Sequence, residues 1–132
     1  MPVFVETVTR PSAQDHTDLT KVYADAPDWL LTPYASADAL IASGIGEGRL
    51  IAGRFNDRLL GAALLSRDAD CWRLSHLCVR KLTRKRGVGR RLLEETQRQA
   101  SEAGKPLRLA APAGHLEASA LAARTHLPLD SL

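Results

Sequence analysis

Residues 77–95 read Leu77-Cys-Val-Arg-Lys-Leu-Thr-Arg-Lys-Arg-Gly-Val-Gly-Arg-Arg-Leu-Leu-Glu-Glu95. The end of an apolar strand passes into a basic loop with two glycines, and the loop into a helix. The spacing predicts that helix from Val88 to about Ala103. Val88, Leu92, Leu93, Thr96 and Ala100 fall on one side, and Gly104 followed by Pro106 stops it. Gly87 and Gly89 let the backbone approach a ligand without a Cβ in the way. The unpaired N–H groups of the first helical turn point at the same spot, where the helix dipole favours an anion. Arg84, Lys85, Arg86 and Arg90 surround that spot with full charges, a combination that suits a pyrophosphate.

The charge of the whole chain is concentrated here. Net charge is only +3, yet residues 80–91 hold seven basic side chains and no acidic one, so the remainder is net acidic. A local basic patch of this kind expects a phosphorylated ligand or a nucleic acid. Nucleic acid is the poorer fit. Aromatic residues are 5% of the chain, none interleaves with the basic run, and two glycines weaken a groove-reading helix. A dinucleotide fingerprint would need a third glycine where Arg90-Arg91-Leu92 stands, and a Walker loop would need Gly-Lys-Ser/Thr. The bland alternative is a basic helix start that faces solvent.

Upstream, Phe4, Val5 and Val8 suggest a strand over 3–9, and Ser12 can cap a helix carrying Leu19, Val22 and Tyr23 on one face. Trp29 to Tyr34 reads as loop. A short helix follows from Ser36 or Ala37 to Ser43, with Gly44, Gly46 and Gly48 marking its end. Arg49–Phe55 and Leu59–Ser66 read as strands joined by an Asn56-Asp57 turn. Trp72–Val79 is a third strand, with Trp72, Leu74 and His76 expected on one face. Downstream come a short strand at Leu107–Ala111 and an alanine-rich helix at Leu116–His126. The order β-α-α-β-β-β-α-β-α predicts an α/β fold with a mixed sheet flanked by helices.

The chain of 132 residues, 45% apolar and 25% charged, suits a single globular domain over 1–132. No apolar run is long enough for a membrane span, and the N-terminus lacks a signal-peptide pattern, so the expectation is a cytoplasmic protein with no membrane partner. Cys71 and Cys78 are too few for a disulfide framework, and His16, His76, His115 and His126 lack metal-ligand spacing, so no metal site is expected.

Arg84-x-x-Gly87-x-Gly89 resembles the phosphate-loop signature of the GNAT acetyltransferase superfamily. The segments Ser12–Tyr23, Arg49–Leu60 and Leu77–Glu95 resemble, more closely, its aspartate decarboxylase maturation and regulation factors (PanM, also called PanZ). The resemblance covers about residues 12–96. It implies acetyl-CoA as cofactor, held by Thr83, Arg84, Lys85, Arg86, Gly87, Val88, Gly89 and Arg90 at the pyrophosphate, and by the strand Leu77, Cys78 and Val79 along the pantetheine arm. It further implies a partner, the pyruvoyl-dependent aspartate decarboxylase of β-alanine and pantothenate synthesis, as precursor and mature enzyme. Arg54 and Asn56 match the family's exposed hairpin and inherit the partner-binding role.

Past Ala111 the resemblance fades, and the C-terminal strand hairpin of a GNAT domain is expected to be shortened or missing. That would leave the Leu107–Ala111 edge bare and open to a homodimer. Catalysis is left open. The alternative function is an N-acetyltransferase acting on a small amine, a protein N-terminus or a lysine. His76 is the first candidate base, ahead of Glu117 and Ser119, while the helix after the Leu107–Ala111 strand contains no Tyr to act as the acid many GNAT enzymes use. The residues therefore lean towards an accessory protein rather than an enzyme.

Overall fold

The computed structural model describes residues 3–83, 86–112 and 116–131. Its centre is a six-stranded sheet in sequential order: β1 (Phe4–Thr7), β2 (Leu50–Phe55), β3 (Arg58–Arg67), β4 (Trp72–Val79), β5 (Leu107–Ala111) and β6 (Leu129–Ser131). The first four form an antiparallel meander, and β5 and β6 then join in parallel. The β2–β3 hairpin closes through Asn56 and Asp57 at φ 48° and 63°, the left-handed pair that a two-residue turn between twisted strands requires.

Helices α1 (Ala13–Ala24) and α2 (Ala37–Gly46) cover one face of the sheet, and α3 (Val88–Glu102) and α4 (Leu116–Thr125) belong to the other. Leu19, Val22 and Tyr23 of α1 and Leu40 and Ile41 of α2 bury against Leu50, Ala52, Leu59, Ala62 and Leu64. Val88, Leu92, Leu93 and Ala100 of α3 bury against Ile51, Ala63, Leu65 and Leu74. Each fully buried Leu contributes about 1.5–3 kcal/mol through removal from water. Ser12 caps α1 as expected, and the Asp15 carboxylate returns the bond to the Ser12 N–H, completing a capping box.

Three expectations need correction. The α2 helix does not break at Gly44 but runs to Gly46. A Cβ at Gly44 would lie 2.6 Å from Leu64 Cδ2 and 3.2 Å from Leu50 Cβ, so this glycine serves close packing of helix on sheet instead of termination. The segment after Pro27 is not all loop, since Asp28–Leu31 forms a 3-10 turn. Finally, β5 is not a bare edge. After α4 the chain returns as β6, with Leu109, Ala110 and Ala111 in register with Leu129, Asp130 and Ser131. Asp130 accepts hydrogen bonds from Arg73 of β4 and Arg108 of β5, which hold its carboxyl down at about 2 and tie the short strand to the sheet. The C-terminal element is thus shortened to one three-residue strand, and the reason for expecting a homodimer at that edge disappears.

Candidate functional site

The site begins with an irregularity in β4. Ala62 of β3 pairs with Cys78 and Leu64 with Ser75, so β4 carries one more residue than its partner across this interval. The extra residue falls at His76, whose φ is 55°, a left-handed conformation that a β-bulge accommodates. Beyond it the side chains change phase. Trp72 and Leu74 face α3, but His76 and Cys78 face α1 and α2, while Leu77 and Val79 face α3. The expectation that Trp72, Leu74 and His76 share one face is therefore overturned, because the bulge breaks strict alternation.

The backbone of the bulge is held from outside the strand. The buried Tyr23 hydroxyl of α1 donates to the His76 carbonyl at 2.8 Å. His76 Nδ1 lies 2.7 Å from Ser75 Oγ, and Nε2 lies 2.8 Å from the Thr32 carbonyl. A carbonyl can only accept, so Nε2 carries the proton and Nδ1 accepts from the serine hydroxyl. Tyr34 meets the imidazole edge-on, with ring centroids 5.4 Å apart. Burial pushes the His76 pKa below its ordinary 6.5; the Thr32 bond pulls it upward and the charge of Arg49 adds to the depression. Both ring nitrogens are engaged, so the candidate base has no free nitrogen to offer an acceptor. Burial also raises the Tyr23 hydroxyl pKa well above 10, and that hydroxyl is already committed to the bulge.

A pH dependence follows from His76. Its folded pKa is depressed, so the unfolded chain takes the proton first as pH falls. The associated stability is fully present above about 6.5 and is lost as pH drops towards the folded value. Melting temperatures of wild type should decline between about pH 6.5 and 5, and those of His76→Gln should decline less. Parallel profiles in that window would contradict this account of the bulge.

The bulge matters because pairing between β4 and β5 ends at Leu74–Leu109. The strands part beyond it, and a cavity of about 490 Å³ opens between their ends. Its floor is β4 from Ser75 to Val79 and β5 from Leu109 to Ala111, with Trp29 and Leu30 on one side and Leu121 and Arg124 of α4 on the other. A second cavity of about 690 Å³ adjoins it, sharing Leu77, Val79, Leu121 and Arg124. It extends to the start of α3, where Thr83, Gly87, Val88, Gly89 and Arg90 line it.

The N-terminus of α3 is suited to an anion. Gly87, at φ 89°, is its N-cap and supplies no side chain, and the first turn contains no acidic residue. The N–H groups there are left for a ligand or for water. Close packing fixes the height of this helix end over the sheet. A Cβ at Gly61 would lie 2.8 Å from Val88 Cγ1, and one at Gly53 would lie 3.4 Å from the same atom.

Seven of the residues assigned to the coenzyme thus line one cavity: Leu77, Val79, Thr83, Gly87, Val88, Gly89 and Arg90. Cys78 touches the first cavity, but its thiol turns to the opposite face and donates to the Val22 carbonyl at 3.3 Å. Arg86 is exposed and lines neither cavity. Arg84 and Lys85 lie outside the described residues. Leu93, Glu94, Gln97, Leu121, Arg124 and Thr125 join the lining without having been expected. Leu93 and Gln97 follow Gly89 at intervals of four on α3, a helical signal already present in the sequence; Arg124 had none.

The expected hairpin pair separates. Asn56 is exposed at the turn. Arg54 is half-buried and bound within the molecule, its guanidinium reaching Glu6 at 2.7 Å and Asp15 at 3.1 Å. Those two carboxylates raise its already high pKa. Among the described residues, no group of three or more His, Cys, Asp or Glu is arranged to hold a metal, and no helix is long and apolar enough to cross a membrane.

A mixed sheet that parts beyond a bulge, with an uncapped helix end at the mouth of the opening, defines a GNAT-fold protein. Solved structures agree on the fold. A protein from Pyrococcus horikoshii OT3, PH1933, superposes with a TM-score of 0.73 at 15% identity, over 94% of this chain and 87% of its own. The PaiA N-acetyltransferase from Thermoplasma acidophilum, solved in complex with coenzyme A, gives 0.68 at 16%, over 95% and 89%.

Within that class, the sequence profile described as "Acetyltransferase (GNAT) domain, PanZ" matches residues 2–129, and the chain belongs to this family. The PanD regulatory factors of Salmonella typhimurium (strain LT2) and Escherichia coli (strain K12) are 40% and 38% identical over 87 residues, 66% of this chain. The match spans 60% of the length of each of these relatives.

Proposed function

We propose that this protein binds acetyl-CoA and acts as an accessory factor of pyruvoyl-dependent aspartate decarboxylase, promoting maturation of the precursor and restraining the enzyme when acetyl-CoA is abundant. The observation that carries the reading is the pair of adjoining cavities, running from the uncapped, glycine-bearing start of α3 into the β4–β5 opening. Such a groove fits a long ligand that is anionic at one end and neutral along its arm. Thr83 and the backbone of Gly87 to Arg90 would receive the pyrophosphate, with Leu77 and Val79 beside the pantetheine arm. Arg84, Lys85 and Arg86 add charge to the loop's approach. The coenzyme supplies a thioester whose acyl group reports acetyl supply; the protein orients it and keeps its reactive end away from water.

Membership of the PanZ family and the names of its relatives support the decarboxylase as partner. That pathway would be met in the cytoplasm. Regulation is favoured over acetyl transfer because both His76 nitrogens are hydrogen-bonded within the chain and the Tyr23 hydroxyl, which lines neither cavity, is committed to the bulge.

The test is a calorimetric titration with acetyl-CoA, repeated in the presence of the decarboxylase precursor. If acetyl-CoA strengthens the complex, the precursor must strengthen acetyl-CoA binding by the same factor. Asn56→Gly keeps the left-handed turn while deleting the side chain, and should weaken the complex about tenfold with acetyl-CoA affinity unchanged. Arg54→Ala should weaken it too, with a lower melting temperature, because it also breaks the bonds to Glu6 and Asp15. Steady CoA release with an amine acceptor, lost in His76→Ala and accompanied by no decarboxylase complex, would establish the N-acetyltransferase instead.

A further inference from the structure

We infer that Arg124 is a phosphate-binding residue, closing the coenzyme groove from the α4 wall; the inference rests on the acetyl-CoA reading above. Arg124 stands in the last turn of α4 and borders both cavities, at the place where they adjoin. The second cavity is also lined by Gly87, Val88 and Gly89, whose N–H groups form the positive pole of a 15-residue helix. One cavity is therefore lined both by a helix pole, from α3, and by a guanidinium, from α4.

The state of the side chain supports a ligand role over a structural one. Arg54, Arg58, Arg73, Arg90, Arg91, Arg98 and Arg108 all form ion pairs with carboxylates of this chain. Among the carboxylates whose side chains are described, which do not include Glu117, none lies within ion-pair distance of Arg124. Arg90, the other arginine on this cavity, is engaged by Glu94 at 2.9 Å, so its charge is partly answered before any ligand arrives. Arg124 brings a cation that no described carboxylate answers, with a planar fork of donors, the geometry that matches phosphate oxygens. A pantetheine arm has no anionic group, so the ligand feature it suits is a phosphate: the diphosphate or the ribose 3′-phosphate.

The experiment measures acetyl-CoA affinity of wild type, Arg124→Ala and Arg124→Lys at low and high salt (about 0.05 and about 0.5 M), with unliganded melting temperatures as a folding control. Arg124→Ala should bind about tenfold more weakly at low salt, the deficit should shrink at high salt, and Arg124→Lys should recover most of it. Acetyl-dephospho-CoA, which lacks the 3′-phosphate, separates the two sources. If its binding is weakened equally by Arg124→Ala, the contact is to the diphosphate; if it is insensitive, the contact is to the 3′-phosphate. Wild-type affinity in Arg124→Ala, or a deficit independent of salt, would overturn the inference while leaving the coenzyme reading intact. Absence of acetyl-CoA binding by wild type would overturn both.

Discussion

Gly89→Asp should abolish stabilisation by acetyl-CoA while leaving the unliganded protein as stable as wild type. A Cβ at Gly89 would meet only Val79 Cγ2, at 3.4 Å, an ordinary contact, so the substitution is tolerated sterically. In the first turn of α3 the new carboxylate interacts favourably with the helix dipole, by about 0.3–1 kcal/mol, and replacing glycine within a helix adds a small gain in propensity. The same carboxylate occupies the wall of the proposed phosphate cavity and brings negative charge to it. Wild type at a hundred times its dissociation constant should gain about 2.7 kcal/mol, visible as a clear rise in melting temperature. The variant should show none at that concentration. The opposition between unliganded stability and ligand response is what makes the test specific, since a merely damaged fold would lose both. Equal shifts in the two proteins would remove the coenzyme from this loop.

Asp18→Ala should cost about 2–4 kcal/mol of stability, the largest effect expected of any single polar side chain outside the groove. Asp18 is only 1% exposed, and its carboxylate accepts from Arg58, from the backbone N–H of Leu59 at 3.0 Å and from Gln14. Desolvation raises its pKa, but the bonds from Arg58, Leu59 and Gln14 outweigh it, so the group stays below the ordinary carboxylate value. Alanine removes the acceptor and leaves a buried N–H with nothing to replace it. Arg58 and Leu59 begin β3 immediately after the Asn56-Asp57 turn, so Asp18 also ties the proposed partner surface to α1. Chemical denaturation should report the loss, and the decarboxylase complex should weaken with it. The ligand-induced shift of acetyl-CoA should persist, because the proposed phosphate cavity lies on the other face of the sheet. A loss below about 0.5 kcal/mol would show that the buried carboxylate is dispensable.

Much of this was legible in the chain because it is written locally. Four apolar positions and Thr96 at helical spacing, with Gly87 ahead of them and Gly104 behind, predict a helix from Val88 to about Ala103, and α3 runs Val88–Glu102. Leu107–Ala111 has its expected bounds, and Asn56-Asp57 turns as its residue types require. The basic loop is a matter of composition over a dozen residues, and so is the preference for a phosphorylated ligand. Periodicity, turn chemistry and local charge need no knowledge of what lies across the fold.

The shape of the groove was decided elsewhere. His76 looks like any strand residue in sequence, and its left-handed backbone exists because Tyr23, 53 positions away, and Thr32, 44 positions away, hold its carbonyl and its ring. The bulge redirects β4, parts it from β5 and turns the candidate base away from the opening. Arg54 reads as a free hairpin cation until Glu6 and Asp15 arrive from β1 and α1. Arg124 reads as one more surface arginine until α4 is set beside α3. Sequence alone determined the main helices and strands, though not β6, and the basic glycine loop, because those follow from interactions between near neighbours. Tertiary structure decided which charges are answered and where two strands separate, because both depend on groups that meet only when the sheet is assembled.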